Sequence, residues 1–432
     1  MTFGEAMDYI ESISKKGSVL GLDTTRELLR RVGNPQEKLK FVHIAGTNGK
    51  GSTLAFISTI LTAAGYRTGR YISPVIYSYC EKIQVDGEYI STEAIATIIG
   101  ILKKACDEMV AEGFEQPTVF EVETAMAFLY FLNEGCDIVV LETGMGGRDD
   151  STNVIPSPLC AVITSISLDH VGILGNNLAE ITECKAGIIK ENTNVVLYSQ
   201  SHEVMEIIEE KCKRECASFS ITEPEKLIRK ENNLNGQVFD YKEFIDITIH
   251  LLGAYQLNNA AVALEVVRVL RTKGYNISDD AVRKGMELTR WPGRFEIVNN
   301  RPLIIMDGAH NPDAAVVFRD TVKEYFDGYV KIFVMGVLRD KDYPTIIKLT
   351  NDLASAIITI NPDNARALLD TELKDAINEI KEKDIPVIAA GRIESGIEMA
   401  SQIAIQLGHE KTAIVVFGSL SFLGDLGKYL YQ

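Results

Sequence analysis

The chain has 432 residues and a formal charge of −16, from 44 Lys and Arg against 60 Asp and Glu, with 46% apolar and 24% charged residues. That length supports two or three domains with large cores, and an acidic balance without a long basic block argues against nucleic acid or an anionic membrane as partner. The N-terminus has no apolar leader, no apolar run reaches spanning length, and seven scattered cysteines lack any C-x-x-C pair, so buried thiols, no zinc site and a cytoplasmic location are expected.

Phe3–Ser14 and Thr24–Val32 carry helical periodicity, with turn-like Gly17-Ser18 between them and Asn34-Pro35 closing the pattern. Leu39–Ala45 is almost wholly apolar, as in a buried parallel strand. Gly46-Thr47-Asn48-Gly49-Lys50-Gly51-Ser52-Thr53 follows, and then Leu54, Ile57, Leu61 and Ala64 recur at helical spacing up to Gly65. Strand, glycine loop and helix start together form a phosphate cradle. Backbone N–H groups and the helix dipole face the anion, and Lys50 adds a full charge. Ser52 or Thr53 supplies a hydroxyl for magnesium. The spacing departs from the common P-loop, because the first glycine lies three residues before Gly49 and Gly51 separates Lys50 from Ser52.

Gly69–Ile72 reads as a short strand running into an aromatic- and serine-rich loop, Ser73–Tyr79, and Val85-Asp86-Gly87-Glu88 is a hairpin signal. Thr92–Glu112 and Glu121–Asn133 are amphipathic helices. The strand Asp137–Leu141 ends at the glycine-rich run Glu142–Asp150, and the strand Leu159–Ile166 ends at Ser167-Leu168-Asp169-His170. Helices at Leu178–Ile189 and His202–Cys216 flank a strand at Asn194–Tyr198. Residues 217–250 are polar and hairpin-like, and helices follow at Tyr255–Lys273 and Ser278–Leu288. Trp291-Pro292-Gly293-Arg294 breaks the pattern and divides the chain into expected domains 1–293 and 294–432. Beyond it, strands at Leu303–Met306, Lys331–Met335, Ala356–Ile360, Val387–Ala389 and Thr412–Phe417 alternate with helices. The fold class is α/β: a mostly parallel P-loop-type ATPase domain followed by a smaller Rossmann-like domain.

Ligands of open α/β sheets gather at the carboxyl ends of the strands. Glu142, directly after an apolar strand, is placed to be one of the few protein ligands magnesium needs. His170 alone reads equally as a structural histidine, and Lys185 alone as a solvated lysine. In Asp307-Gly308-Ala309-His310-Asn311-Pro312 a cap and a proline-started helix account for Asn311 and Pro312, but not for Asp307 with His310. Ser419, after the last strand, is either a ligand contact or a simple N-cap.

GTNGKGST, SP after a short strand, FE-x-x-TA, LETGMGGRDDSTNVI, ISLDHVGILG, KAGIIK, Q-x-x-NAA, WPGRFE, DGAHNP, DKD and a late GSL occur in order from about residue 18 onward. This set resembles the folylpolyglutamate synthase/dihydrofolate synthase family of the Mur ligase superfamily. The resemblance implies a ligase that joins L-glutamate to dihydropteroate or to a reduced folate, with ATP cleaved to ADP and phosphate. It places ATP on Thr47, Asn48, Gly49, Lys50, Gly51, Ser52 and Thr53, with Asn259, Arg294 and Asp307 as further nucleotide contacts. One or two Mg2+ ions fall to Ser52, Ser73, Glu142 and His170, together with Lys185, which matches a lysine that carries a carboxyl group. Thr118, Val119, Phe120 and Glu121 with Asp149, Asp150 and Ser151 match the pterin-site stretches, and His310 and Ser419 lie near the incoming glutamate. Potassium and a monomeric state also follow from the resemblance alone. Val75-Ile76, Asp149-Asp150-Ser151 and Cys184 depart from the common family pattern, and the first two departures touch the pterin pocket.

The residue types suit the chemistry. A carboxylate is a poor acyl donor, so ATP phosphorylates it and the amine attacks the acyl phosphate, with Lys50 and magnesium neutralising charge. Lys50, Lys185 and His310 are the expected catalytic groups, and two domains closing at Trp291–Arg294 would keep water from the intermediate. Peptidoglycan-type Mur ligases carry a UDP-sugar-binding domain ahead of the phosphate loop, for which the 45 residues before Gly46 are too few. An inactive nucleotide-binding regulator is the rival from another class. Lys50, Glu142, His170, Lys185, Asp307 and His310 speak against it, and a small-acid kinase would release ADP without the amine.

Overall fold

The computed structural model describes residues 1–14, 21–407 and 411–430; the expected turn at Gly17-Ser18 lies outside them. The strands are β1 Phe41–Ala45, β2 Thr68–Tyr71, β3 Ile83–Val85, β4 Glu88–Tyr89, β5 Ile138–Glu142, β6 Cys160–Ile163, β7 Asn194–Leu197 and β8 Ser218–Ile221. They form one sheet in the order β4-β3-β2-β5-β1-β6-β7-β8. From β2 to β8 neighbouring strands run parallel, and only β3 and β4 turn back as an antiparallel edge. β1 sits at the centre because all five of its residues are buried on both faces. The hairpin tip is Asp86 and Gly87 at φ 55° and 90°, as the Asp-Gly signal requires.

The polar stretch after residue 217 does two things. β8 completes the large sheet, and β9 Leu227–Asn233, β10 Gly236–Tyr241 and β11 Phe244–Ile249 form a separate antiparallel sheet. Its apolar face, with Phe239, Tyr241, Phe244 and Ile247, joins the core that holds the helices Lys50–Ala63 and Ala254–Thr272. Past Trp291–Arg294 come β12 Glu296–Asn300, β13 Leu303–Met306, β14 Val330–Met335, β15 Ala356–Ile360, β16 Val387–Gly391 and β17 Thr412–Phe417. Their order is β12-β13-β17-β14-β15-β16, parallel except for β12. β12 carries no apolar run and escapes the sequence pattern, since it is a half-polar edge strand held by antiparallel pairing to β13. The described chain is thus α/β with a mostly parallel first sheet and a separate second α/β sheet.

All seven cysteines are free. The expectation of buried thiols fails at Cys216, which is exposed: the helix ends at Arg214, and Cys216 follows at φ 51°. Cys212 and Cys216 therefore share no helix face. No helix among the described residues is long and apolar enough to cross a membrane.

Candidate active site

The phosphate loop is clamped to the segment after β6. Thr47 N–H donates to Ser165 O at 2.7 Å, while Thr47 Oγ1 donates to Ser167 O at 3.1 Å and accepts from Ser167 N–H at 3.0 Å. These bonds explain why β6 stops at Ile163, short of the expected Ile166. Gly46 comes so close to this segment that a Cβ there would lie 1.8 Å from Thr164 Oγ1. Gly46→Ala is expected to destabilise the protein by about 2–4 kcal/mol through strain at the β1–β6 contact, read as a lower urea midpoint at unchanged m-value. Thr53 Oγ1 and Ser167 Oγ are buried without a hydrogen-bond partner. One orphaned hydroxyl in the first turn of the helix Lys50–Ala63 and another on the segment clamped to the loop suit a phosphate-bearing ligand that supplies the missing acceptor.

Three groups outside the loop press against it. A Cβ on Gly49 would stand 2.5 Å from Asn259 Oδ1, and one on Gly51 would stand 2.6 Å from Trp291 Cζ2. Asn259 is itself held by Gln256, its Nδ2 donating at 2.9 Å. The indole of Trp291 explains why the hydroxyl of this loop sits at Ser52 rather than at Gly51. From the second lobe, Asn311 Nδ2 donates to Asn48 Oδ1 at 3.3 Å, while Asn311 Oδ1 caps the helix Pro312–Tyr325.

Two lysines converge on one carbonyl. Lys50 Nζ donates to Gly46 O at 3.2 Å and Thr47 O at 3.3 Å, and Lys185 Nζ donates to Gly46 O at 2.9 Å. Lys185 is 3% exposed. Burial, with the charge of Lys50 beside it, pulls its pKa down to about 7. Glu142, at the end of β5, is buried 3.9 Å from Lys50 Nζ. Burial raises its pKa to about 7 against the pull of Lys50 and the Ser73 N–H. A further cation would relieve that carboxylate. No group of three His, Cys, Asp or Glu converges among the described residues, so the donor set is one carboxylate with hydroxyls, which suits magnesium completed by phosphate and water.

His170 stands at φ 50° and is half exposed, with Nε2 3.9 Å from Asp169 Oδ2. Burial lowers its pKa despite Asp169, and the charges of Lys341, Lys185 and Lys50 add to the effect. Asp169 also meets Lys341 Nζ of the second lobe at 3.2 Å. Burial would raise the Asp169 pKa, but Lys341, His170 and His310 outweigh it and hold it low. Lys341 with Asp169, and Asn311 with Asn48, bridge the lobes at the site. Each lies in a motif visible in the sequence, yet only folding reveals the pairing.

In the second lobe both oxygens of buried Asp307 accept backbone N–H groups, from Ala309 at 2.8 Å and Phe295 at 2.9 Å. Burial raises its pKa, with Arg294 opposing. His310 Nδ1 lies 2.7 Å from Gly308 O, which makes Nδ1 the protonated nitrogen and leaves Nε2 free to accept. Burial lowers its pKa to about 4, so the ring is neutral at pH 7. Ser419 Oγ accepts from Ser421 N–H at 3.2 Å and is the N-cap of the turn Leu420–Phe422.

The stretches expected at the pterin site divide. Thr118 and Glu121 form a reciprocal capping box at the start of the helix Val119–Asn133, and Glu121 also accepts from Thr25 Oγ1 at 2.9 Å. Asp150 is buried, accepting from Met145 N–H at 2.7 Å and from Thr152 N–H at 3.0 Å, and so shapes the glycine loop. Ser151 is buried in the turn Ser151–Val154. Val119, Phe120 and Asp149 stay half-buried, and the Phe120 ring covers Gly144 two residues beyond Glu142.

Residues 44–267 match the Mur ligase middle domain and residues 293–420 the Mur ligase glutamate ligase domain. A Bacillus subtilis (strain 168) protein named dihydrofolate synthase/folylpolyglutamate synthase is 37% identical over 435 residues, covering 99% of each chain. The chain belongs to the folylpolyglutamate synthase/dihydrofolate synthase family of Mur ligases. Mycobacterium tuberculosis folylpolyglutamate synthase complexed with ADP and AMPPCP superposes with a TM-score of 0.90 at 32% identity, over 100% of this chain and 99% of that one. E. coli FolC in complex with DHPP and ADP gives 0.86 at 25% identity, over 100% and 98%. Membership in this family gives the converging lysines, Glu142 and the glycine loop a common context: the nucleotide-cleaving end of a ligase.

Proposed function

We propose that the protein is an ATP-dependent ligase that adds L-glutamate to dihydropteroate or to the glutamate tail of a reduced folate, acting as a monomer in the cytoplasm. The observation that supports this reading is the meeting of Lys50 and Lys185 at Gly46 O, opposite buried Glu142, in a chain whose full-length relatives carry these names. The acceptor carboxylate attacks the γ-phosphorus of ATP, giving an acyl phosphate and ADP. The amine of L-glutamate then attacks the acyl carbon, the C–O bond to phosphate breaks, and an amide, phosphate and a proton are released.

Thr47–Thr53 hold the triphosphate, with Asn259, Arg294 and Asp307 as the remaining nucleotide contacts, and Lys50 neutralises charge on the transferred group. Ser52, Ser73, Glu142 and His170 would hold one or two Mg2+ ions, which when bound neutralise phosphate charge. A neutral Lys185 Nζ attacks CO2 and loses a proton, leaving an anionic carbamate among these donors. Potassium is a further cation of the proposal. Val119, Phe120 and Asp149 offer the open pterin contacts; Thr118, Glu121, Asp150 and Ser151 shape that wall from behind. Residues 294–432 form the glutamate-ligase unit, in which the Nε2 of His310 accepts from the incoming amine and Ser419 lies beside it.

ADP release that requires both a pteroate or folate and L-glutamate tests the reading; ADP release without the amine, or none, overturns it. His310→Ala is expected to raise the KM for L-glutamate about tenfold with the KM for ATP unchanged, the loss of roughly one hydrogen bond to a charged group. Initial rates at varied glutamate check this, and an unchanged glutamate KM would remove His310 from the role.

A further inference from the structure

A cavity of about 230 Å³ opens between the lobes beside Glu142 and Ser73. Trp291 and Leu420 line it, together with a cross-strand row from β2, β3 and β4. The row follows from pairing: Arg70 on β2 lies opposite Gln84 on β3, which lies opposite Tyr89 on β4. Arg70 Nε donates to Gln84 Oε1 at 2.8 Å, and its Nη2 reaches towards Gly87, where a Cβ would lie 3.6 Å away.

Three guanidinium groups, Arg70, Arg290 and Arg294, line this one cavity. Among the described residues none of them has a carboxylate within 4.0 Å, although most other arginines of this acidic chain do. Burial lowers the Arg70 pKa to about 10, with only Tyr89 opposing, so its charge is partly desolvated and has no carboxylate to offset it. The two acids in the same wall are committed elsewhere. Glu81 accepts the N–H groups of Ile76, Tyr77 and Ser78, and Glu142 faces Lys50. A half-buried guanidinium without a carboxylate partner, in a cavity that starts at the phosphate loop, calls for an anion from the ligand.

We propose that Arg70 and Arg290 bind α-carboxylates of the acceptor's γ-glutamyl tail, so that this cavity selects acceptors that already carry glutamate. The proposal rests on the ligase reading and deepens it. The carboxyl group to be activated must reach the transferred phosphoryl group near Lys50, at the Glu142 end of the cavity. In a γ-linked chain, α-carboxylates follow directly behind that group. ATP has its own cations in Lys50 and Arg294 and its own N–H donors in the loop, which leaves Arg70 and Arg290 for carboxylates. Dihydropteroate has no α-carboxylate and gains nothing from it.

The test compares wild type with Arg70→Leu and with Arg290→Gln, a change at an exposed position that leaves the core intact. Each is expected to raise the KM for triglutamyl tetrahydrofolate about 10- to 100-fold, the range of a charge-assisted hydrogen bond. The monoglutamate should suffer less, and the KM values for ATP and L-glutamate should stay within twofold. Equal effects at every tail length, a shift in the ATP or glutamate KM instead, or no effect from either variant would overturn it. Trp291 is the single tryptophan of the chain and lines the cavity, so a readout without turnover exists. Tri-γ-glutamate should change Trp291 fluorescence saturably in wild type and at least tenfold more weakly in both variants, whereas free L-glutamate should not; no change with tri-γ-glutamate would overturn the proposal. Should the wild type release no ADP with folate and glutamate, the ligase reading fails, and this titration still decides what the cavity binds.

Discussion

Lys50→Ala is expected to lower kcat/KM for acceptor-dependent ADP release by about 10³-fold, roughly 4 kcal/mol of lost charge stabilisation. The ammonium is held by the carbonyls of Gly46 and Thr47 and stands 3.9 Å from Glu142, so it is aimed before any ligand arrives. Arginine should not restore the rate, because its planar fork cannot sit where a compact ammonium meets two carbonyls of one turn. Removing Lys50 also strips Glu142 of the largest influence opposing its burial, so the Glu142 pKa should climb beyond about 7. Steady-state ADP release and a carboxyl titration by isotope-edited infrared check the two halves. A loss smaller than tenfold would mean that the loop does not handle the transferred phosphoryl group.

Lys185→Met is expected to lower turnover by about 10²- to 10³-fold and to stabilise the unliganded protein at the same time. Its amine is buried with one carbonyl acceptor and a like charge nearby, an arrangement that serves reactivity at the expense of stability. The pH dependence has a definite sign. Because the folded-state pKa is about 7 against the ordinary lysine value of 10.5, the unfolded chain binds the extra proton between those pH values, and stability of the wild type rises with pH across that window. The Tm advantage of the methionine variant should therefore shrink from pH 7 to pH 10. Glu142 acts in the opposite direction in a lower window: raised from 4.5 to about 7, it makes stability fall as pH rises between those values. Thermal melts of both proteins in CO2-depleted buffer isolate the lysine. In turnover assays, added bicarbonate should activate the wild type and leave the variant unchanged; a variant that retains bicarbonate activation would exclude Lys185 as the carbamate.

Local chemistry determined much of this molecule before folding. The run Phe41–Ala45, apolar but for His43, reads as a strand buried on both faces, the Asp86-Gly87 pair requires a tight turn, and the glycines around Lys50 suit a loop that turns backbone N–H groups towards an anion. The ordered motifs placed the chain in its family for the same reason, since each is a short segment whose side chains act where the backbone puts them. Partnerships across the chain were decided only by tertiary structure. Lys185 read alone as a solvated lysine until folding buried it against Gly46, 139 positions away, and Thr118, Glu121 and Asp150 turned out to satisfy backbone groups locally. The strand at Glu296–Asn300 and the exposure of Cys216 were likewise invisible, because an edge strand borrows its order from its neighbour and a thiol's burial depends on what packs over it. The same holds for the arginine wall: Arg70 on β2 shares a cavity with Arg290 and Arg294 only because the fold brings the Trp291 linker beside that strand, and charge at a distance leaves no periodic trace in a sequence.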